Sequence, residues 1–267
     1  MGAKTKIDWC DSTWNPVTGC LHGCAYCYAR KIAERFGGVD YEDELENRYG
    51  MYDVVRLHAE GDTHELDYPL VDAYSGKKAP YPFAFDPTFH RYKLDEPQCW
   101  KKPCAIFVCS MADLFGEWVP DEWIEQVFEA CEAAPQHRYL FLTKNPKRYV
   151  DLYGNGILRV RDSFWYGSTI TGANEPFFFS QVPDDNPHTF CSIEPILEPV
   201  GTMQVMPDWV IVGAETSNRK GKVVPQKEWI DEIAAECKRR RKPLFMKDSL
   251  RGLMGDDFKQ EFPWEVK

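Results

Sequence analysis

From residue 105 onward the chain alternates short β-branched and aromatic runs with segments of helical spacing: "AIFVCS" precedes "DEWIEQVFEACEAA", and "YLFLT" precedes "PKRYVDLYG". "FWYGSTIT", "TFCSIEP", "WVIVGAET" and "PLFMK" continue the series. Apolar runs without alternation read as strands buried on both faces, and parallel neighbours need crossovers of this kind. A first strand near "STWNPVT" brings the count to six or seven, which predicts an α/β fold built as a partial or complete parallel barrel.

Two helical segments echo each other. Trp123, Ile124, Val127, Phe128 and Cys131 share one face of the first, and Trp229, Ile230, Ile233, Ala234 and Cys237 share one face of the second, which places Cys131 and Cys237 in the core. At 267 residues the expectation is one domain, 1–267, and the 43% apolar content suffices for a sizeable core. Residues 38–100 interrupt the scheme after the first βα unit with a stretch rich in Tyr, Pro, His and acidic side chains, expected to be an insertion or lid carrying substrate specificity.

The N-terminus lacks the apolar stretch of a signal peptide, and no window approaches the roughly 18 apolar residues that span a bilayer, so a cytoplasmic location and no membrane partner are expected. In that reducing setting the 10 cysteines suggest ligation or burial rather than a disulfide framework. A net charge of −10 gives no general attraction to phosphate backbones. The run "CKRRRKP", Cys237 to Pro243, is a local exception, read either as a nucleic-acid patch or as compensation of a helix dipole.

Cys20, Cys24 and Cys27 form a C-x3-C-x2-C stretch beside Gly19 and Gly23, ahead of the helix-compatible "YARKIAERFGG". Structural zinc wants four ligands in two separated pairs, and no second C-x2-C or H-x3-H pair exists here. Thiolates also hold iron-sulfur clusters, and a four-iron cluster with three protein thiolates keeps one iron open for an external ligand. His22 is expected beside that group rather than on it. Cys10, Cys99 and Cys104 have no spacing specific enough to mark a second cluster.

The same stretch, N-P-x-x-G-C-x-H-G-C-x-Y-C-Y-A-R, resembles the cluster motif of the radical S-adenosylmethionine superfamily in the version of the spore photoproduct lyases. "FVCSMADLFGEWVPDEWI", "LTKNPKR", "CSIEPILEP" and "DWVIVGAET" resemble the strand-end motifs of a phage-associated radical S-adenosylmethionine family known as a domain of unknown function. The resemblance implies a partial (β/α)6-type parallel barrel and a 4Fe-4S cluster on Cys20, Cys24 and Cys27. It also implies S-adenosylmethionine bound at the open iron and cleaved to a 5′-deoxyadenosyl radical that abstracts hydrogen. Tyr26 would lie against the adenine, and Ser110, Met111 and Asp113 match the position that receives the methionine amino group. "STITGANE" loosely resembles the family's G-x-I-x-G-x-x-E stretch through Ile170, Gly172 and Glu175. Cys109 and Cys191 lie inside apolar runs and read first as core residues, and by the same resemblance either would return hydrogen to a product radical; a reducing donor such as flavodoxin or ferredoxin would supply electrons, and the substrate would be a nucleobase, nucleotide or DNA lesion.

Independently of any family, a parallel barrel places its site at the C-terminal ends of the strands. Polar residues after the apolar runs are therefore site candidates: Ser110, Met111, Asp113, Thr143, Lys144, Ser168, Thr169, Ser192, Glu194, Glu215 and Lys247. A carboxylate directly after a buried strand must find a partner or a ligand, which singles out Asp113, Glu194 and Glu215. Two other readings stand beside the enzyme: a noncatalytic zinc- or cluster-stabilised interaction protein of a phage or defence system, and a nucleic-acid-binding module using "KRRRK".

Overall fold

The computed structural model describes residues 5–37, 55–57, 63–71, 76–173, 188–203 and 205–265. In chain order come strands β1 (Ser12–Trp14) and β2 (Val17–Thr18), helix α1 (Tyr28–Phe36), and strands β3 (Val55–Leu57), β4 (His64–Leu66) and β5 (Thr88–His90). There follow β6 (Ala105–Val108), α2 (Asp121–Glu132), β7 (Arg138–Thr143), α3 (Lys147–Gly154), β8 (Phe164–Ile170) and β9 (His188–Ile193). The chain continues through β10 (Trp209–Val212), α4 (Lys227–Arg240), β11 (Leu244–Met246) and the short α5 (Arg251–Met254).

The larger sheet has the order β1-β6-β7-β8-β9-β10-β11 and is parallel throughout, curling into a half-barrel. These are the seven runs expected from the sequence, and α2, α3 and α4 form on the expected segments. The smaller sheet, in the order β2-β5-β4-β3, takes three of its strands from the 38–100 stretch and joins them to β2 through β5. Residues 38–54, 58–62 and 72–75 of that stretch lie outside the described residues.

Two apolar layers hold the half-barrel. On its outer face Ile106, Val108, Tyr139, Phe141, Phe164 and Tyr166 bury against α2, while Cys191, Ile193, Val210, Val212, Leu244 and Met246 bury against α4 and α5. Cys131 and Cys237 belong to these layers, as expected. Phe128 shows the density: the rings of Phe115, Phe141, Phe164 and Tyr166 lie 5.3–6.4 Å from its own. Truncating such a residue to Ala costs about 3–5 kcal/mol.

The inner face is filled lower down by Trp9, Phe107, Leu140, Trp165, Phe190, Trp209, Ile211 and Phe245. The C-terminal segment closes this level, with Met246 N–H donating to Lys259 at 2.8 Å, Glu261 N–H donating to Leu244 at 3.0 Å, and Phe262 and Trp264 packed on Trp209. With its lower half packed, the inner face opens, among the described residues, where the strands end. Among the described residues no helix is long and apolar enough to cross a membrane.

Candidate functional site

A cavity of about 560 Å³ opens at the C-terminal ends of the parallel strands. Cys20, Cys24, Cys27 and Tyr26 line it together with residues from the ends of β6 to β11. The loop bearing the three cysteines runs from β2 to α1 and is pinned at both ends. Gly19 has φ +86°, the left-handed region, and a Cβ there would stand 2.2 Å from the Asp86 carbonyl oxygen, so only glycine fits. Its N–H donates to the Met111 carbonyl at 2.9 Å, and Cys20 N–H donates to Phe85 at 3.2 Å. Arg30 donates to the Cys20 carbonyl at 3.2 Å while its guanidinium stacks 4.8 Å above the Phe85 ring.

At the other end Cys27 caps α1, its Sγ accepting from Arg30 N–H at 3.3 Å. All three sulfur-bearing residues are half-buried, and burial pushes the Cys20 thiol up to about 12. Among the described residues no three His, Cys, Asp or Glu side chains come close enough to hold a single metal ion.

Asp113 joins this loop to the sheet. Its Oδ1 accepts from Phe115 N–H at 3.0 Å and from the Thr143 hydroxyl at 2.7 Å. Its Oδ2 lies 2.7 Å from His22 Nε2 and accepts from Lys144 N–H at 2.8 Å. An ionised carboxylate offers about four acceptor positions, and all are taken. Asp113 lies on the cavity wall and, through these bonds, positions the cysteine loop, β6 and β7 relative to one another. Thr143, spent on Asp113 and on Asn145 N–H at 2.9 Å, serves the same junction.

Asn15 performs a similar service for residues 110 and 111. Its Oδ1 accepts from the Ser110 hydroxyl at 3.1 Å and from Met111 N–H at 2.9 Å, and the Tyr28 hydroxyl donates to the Ser110 carbonyl at 2.6 Å. Ser110 stays on the cavity wall, whereas the Met111 side chain packs behind the loop with Ala29, Ala33, Phe85, Cys20 and Cys27. Tyr26 faces the cavity beside Lys144, whose ammonium donates to its hydroxyl at 3.3 Å and lies 5.3 Å from its ring centre.

Strand parity decides the far wall. On β8 Phe164, Tyr166 and Ile170 face the outer helices and Trp165 faces inward, so Thr169 enters the cavity and Ser168 does not. The Ser168 hydroxyl is fully buried with no partner. Ser168 is therefore not among the residues that line the cavity. The same parity puts Cys191 in the outer layer and Ser192 in the cavity. Cys109, with φ 59°, also packs outward among Val108, Leu114 and Phe115, and burial pushes its thiol up to about 12. Neither cysteine lines the cavity.

Glu194 lines the cavity in an ion pair with Lys247; Glu215 also lines it, held by Arg219 at 2.8 and 3.0 Å and by the Ser217 hydroxyl. The Arg219 hydrogen bonds hold the Glu215 carboxyl down at about 2, from an ordinary 4.5. Arg219 gave no signal in the sequence beyond its distance of four residues. Glu175 lies outside the described residues. Elsewhere, Cys104 Sγ rests 3.4 Å from His137 Nδ1, Cys10 donates to a backbone carbonyl, and Cys99 is exposed. In the basic run Arg239 and Arg240 pair with Glu236, and Lys242 pairs with Asp208 at 2.9 Å.

A parallel half-barrel with a largely apolar, cysteine-bearing cavity over its C-terminal strand ends matches a partial α/β barrel, whose strand ends are where such folds place their sites. The chain belongs to a family of proteins of unknown function, DUF5131, whose profile spans residues 4–252. Neither the curated proteins nor the solved structures give a match to it.

Proposed function

We propose that this chain is a radical S-adenosylmethionine enzyme whose Cys20, Cys24 and Cys27 hold a 4Fe-4S cluster. The observation that carries this reading is the sharing of one strand-end cavity by all three thiols and Tyr26. The donor set suits the group: Cys20, Cys24 and Cys27 on one short loop would hold a four-iron cluster with three thiolates, leaving one iron without a protein thiolate. When bound, the cluster supplies the electron that cleaves the carbon-sulfur bond of S-adenosylmethionine and so starts hydrogen abstraction from a substrate.

The protein's own contributions are positional. Gly19 and Arg30 hold the loop against Phe85 and Asp86; Asp113 keeps His22 on the loop in register with β7. Tyr26 and Lys144 offer an aromatic face and an ammonium to the nucleoside cofactor, and Ser110, fixed by Asn15 and Tyr28, lines the same cavity. The apolar floor of Trp9 and Phe107 excludes water from below. The proposed substrate is a nucleobase, nucleotide or DNA lesion; the net charge of −10 favours a small molecule over an extended duplex.

Anaerobic reconstitution with iron and sulfide tests the metal centre. The reading expects about four iron and about four sulfide per chain, with an electron paramagnetic resonance signal after dithionite that changes on adding S-adenosylmethionine. Alanine at Cys20, Cys24 or Cys27 should abolish both. Uptake of zinc without sulfide would overturn it.

A further inference from the structure

The pairing register aligns Ile193 with Val212 and Val212 with Met246, so the next residues, Glu194, Gly213 and Lys247, form one row across β9, β10 and β11. Glu194 and Lys247 line the cavity at the two ends of this row. Gly213 makes their contact possible. A Cβ there would stand 2.8 Å from Lys247 Cδ, so the missing side chain lets the lysine stem lie flat across the sheet and bring its ammonium to Glu194. The two side chains are only 17% and 29% exposed. One level lower on β9, Ser192 faces the same cavity, 1% exposed, its hydroxyl without a partner. Beneath lie Trp9 and Phe107, ring centres 4.6 Å apart.

We propose that Glu194, Lys247 and Ser192 form a recognition site for the uncharged carboxamide-type edge of a flat ligand. Its N–H donates to the Glu194 carboxylate, its C=O accepts from the Lys247 ammonium, and Ser192 takes up a remaining acceptor.

Charge selects that chemistry. The pair is neutral as a unit, so it draws in neither anions nor cations. A lone carboxylate on Lys247, or a lone ammonium on Glu194, would leave the other member charged and unpaired in a half-dry wall, which is costly. An edge carrying donor and acceptor side by side satisfies both members without separating them, and a flat apolar body suits the aromatic floor. The buried Ser192 hydroxyl is the independent sign of a ligand, because a donor left unmade in the interior costs stability unless something binds there. That this ligand is the substrate of radical chemistry rests on the function proposed above; the binding itself does not.

The test uses the full chain as purified, without iron, and three probes of one shape: benzamide, benzoate and benzamidinium, their affinities compared by ligand-observed NMR. The wild type should bind benzamide about tenfold more tightly than either ion, a difference of about 1.4 kcal/mol. Glu194→Gln leaves Lys247 without its counter-charge and should shift the preference to benzoate; Lys247→Met should shift it to benzamidinium. Ser192→Ala should weaken benzamide several-fold. A wild type that prefers either ion, shows no preference or binds none of the three overturns the inference, as do variants that keep the wild-type order. A variant that has lost its fold loses all three probes and its thermal transition, and the wild-type order then decides. Benzamide preference in a protein that builds no cluster would overturn the radical reading and leave this site standing; a working cluster without that preference would do the reverse.

Discussion

His22 Nε2 and Asp113 Oδ2 lie 2.7 Å apart, and this contact carries the cysteine loop onto the ends of β6 and β7. The His22 ring also stands edge-on to Trp118 at 4.9 Å. The same Asp113 carboxylate serves three further donors, so its effect reaches well beyond one pair.

Asp113→Ala should therefore be among the more damaging single changes. It strips the acceptor from two backbone N–H groups, a buried hydroxyl and His22, for an expected loss of about 2–3 kcal/mol, or roughly 4–12 °C in Tm. Thermal denaturation of the iron-free protein measures it. A change below one degree would contradict the junction described here.

Two glycines of the loop should respond differently to alanine. Gly19→Ala meets both a positive φ and the Asp86 carbonyl at 2.2 Å, and should cost at least about 2 kcal/mol and lower the iron taken up. Gly23→Ala has φ +67° but open space around it, so the cost is the backbone strain of about 1 kcal/mol. Equal losses in urea denaturation would show that the contact with residue 86 does not constrain the loop.

The Arg219–Glu215 pair predicts an acid-limb effect. Glu215 titrates at about 2 in the fold against an ordinary 4.5, so its contribution is present above 4.5 and disappears as pH falls toward 2. Arg219→Gln removes the cause. Its Tm should lie below the wild type's at pH 6, and the gap should narrow steadily on acidification. A gap that widens instead would contradict the sign.

Cysteines of the two layers should separate cleanly. Cys191→Ala opens a space in the outer layer and should cost about 1–2 kcal/mol while leaving iron uptake intact. Cys24→Ala, on a half-exposed loop, should hardly alter the stability of the iron-free protein but abolish iron uptake. Iron analysis beside denaturant melts reads both.

Much of this was written in the sequence. The runs from "AIFVCS" to "PLFMK" are long enough in apolar residues to declare six buried strands, "STWNPVT" adds the seventh, and the spacing of Cys20, Cys24 and Cys27 marks the loop that the fold delivers to the cavity. What failed was facing. A strand such as "FWYGSTI" is buried on both sides, so no polar alternation tells Ser168 from Thr169, or Cys191 from Ser192. Pairings across the chain were equally silent: Asp113 reaches His22 over 91 residues, and Asn15 reaches Ser110 over 95. Strands of two or three residues, β2 to β5, are too short to show any period.

The most direct test of the central claim is anaerobic turnover of the reconstituted protein with dithionite and S-adenosylmethionine, assaying 5′-deoxyadenosine by mass spectrometry beside Cys24→Ala. The account predicts 5′-deoxyadenosine from the intact loop and none from the variant. A fully loaded cluster that forms none, with or without nucleotide candidates present, would contradict it.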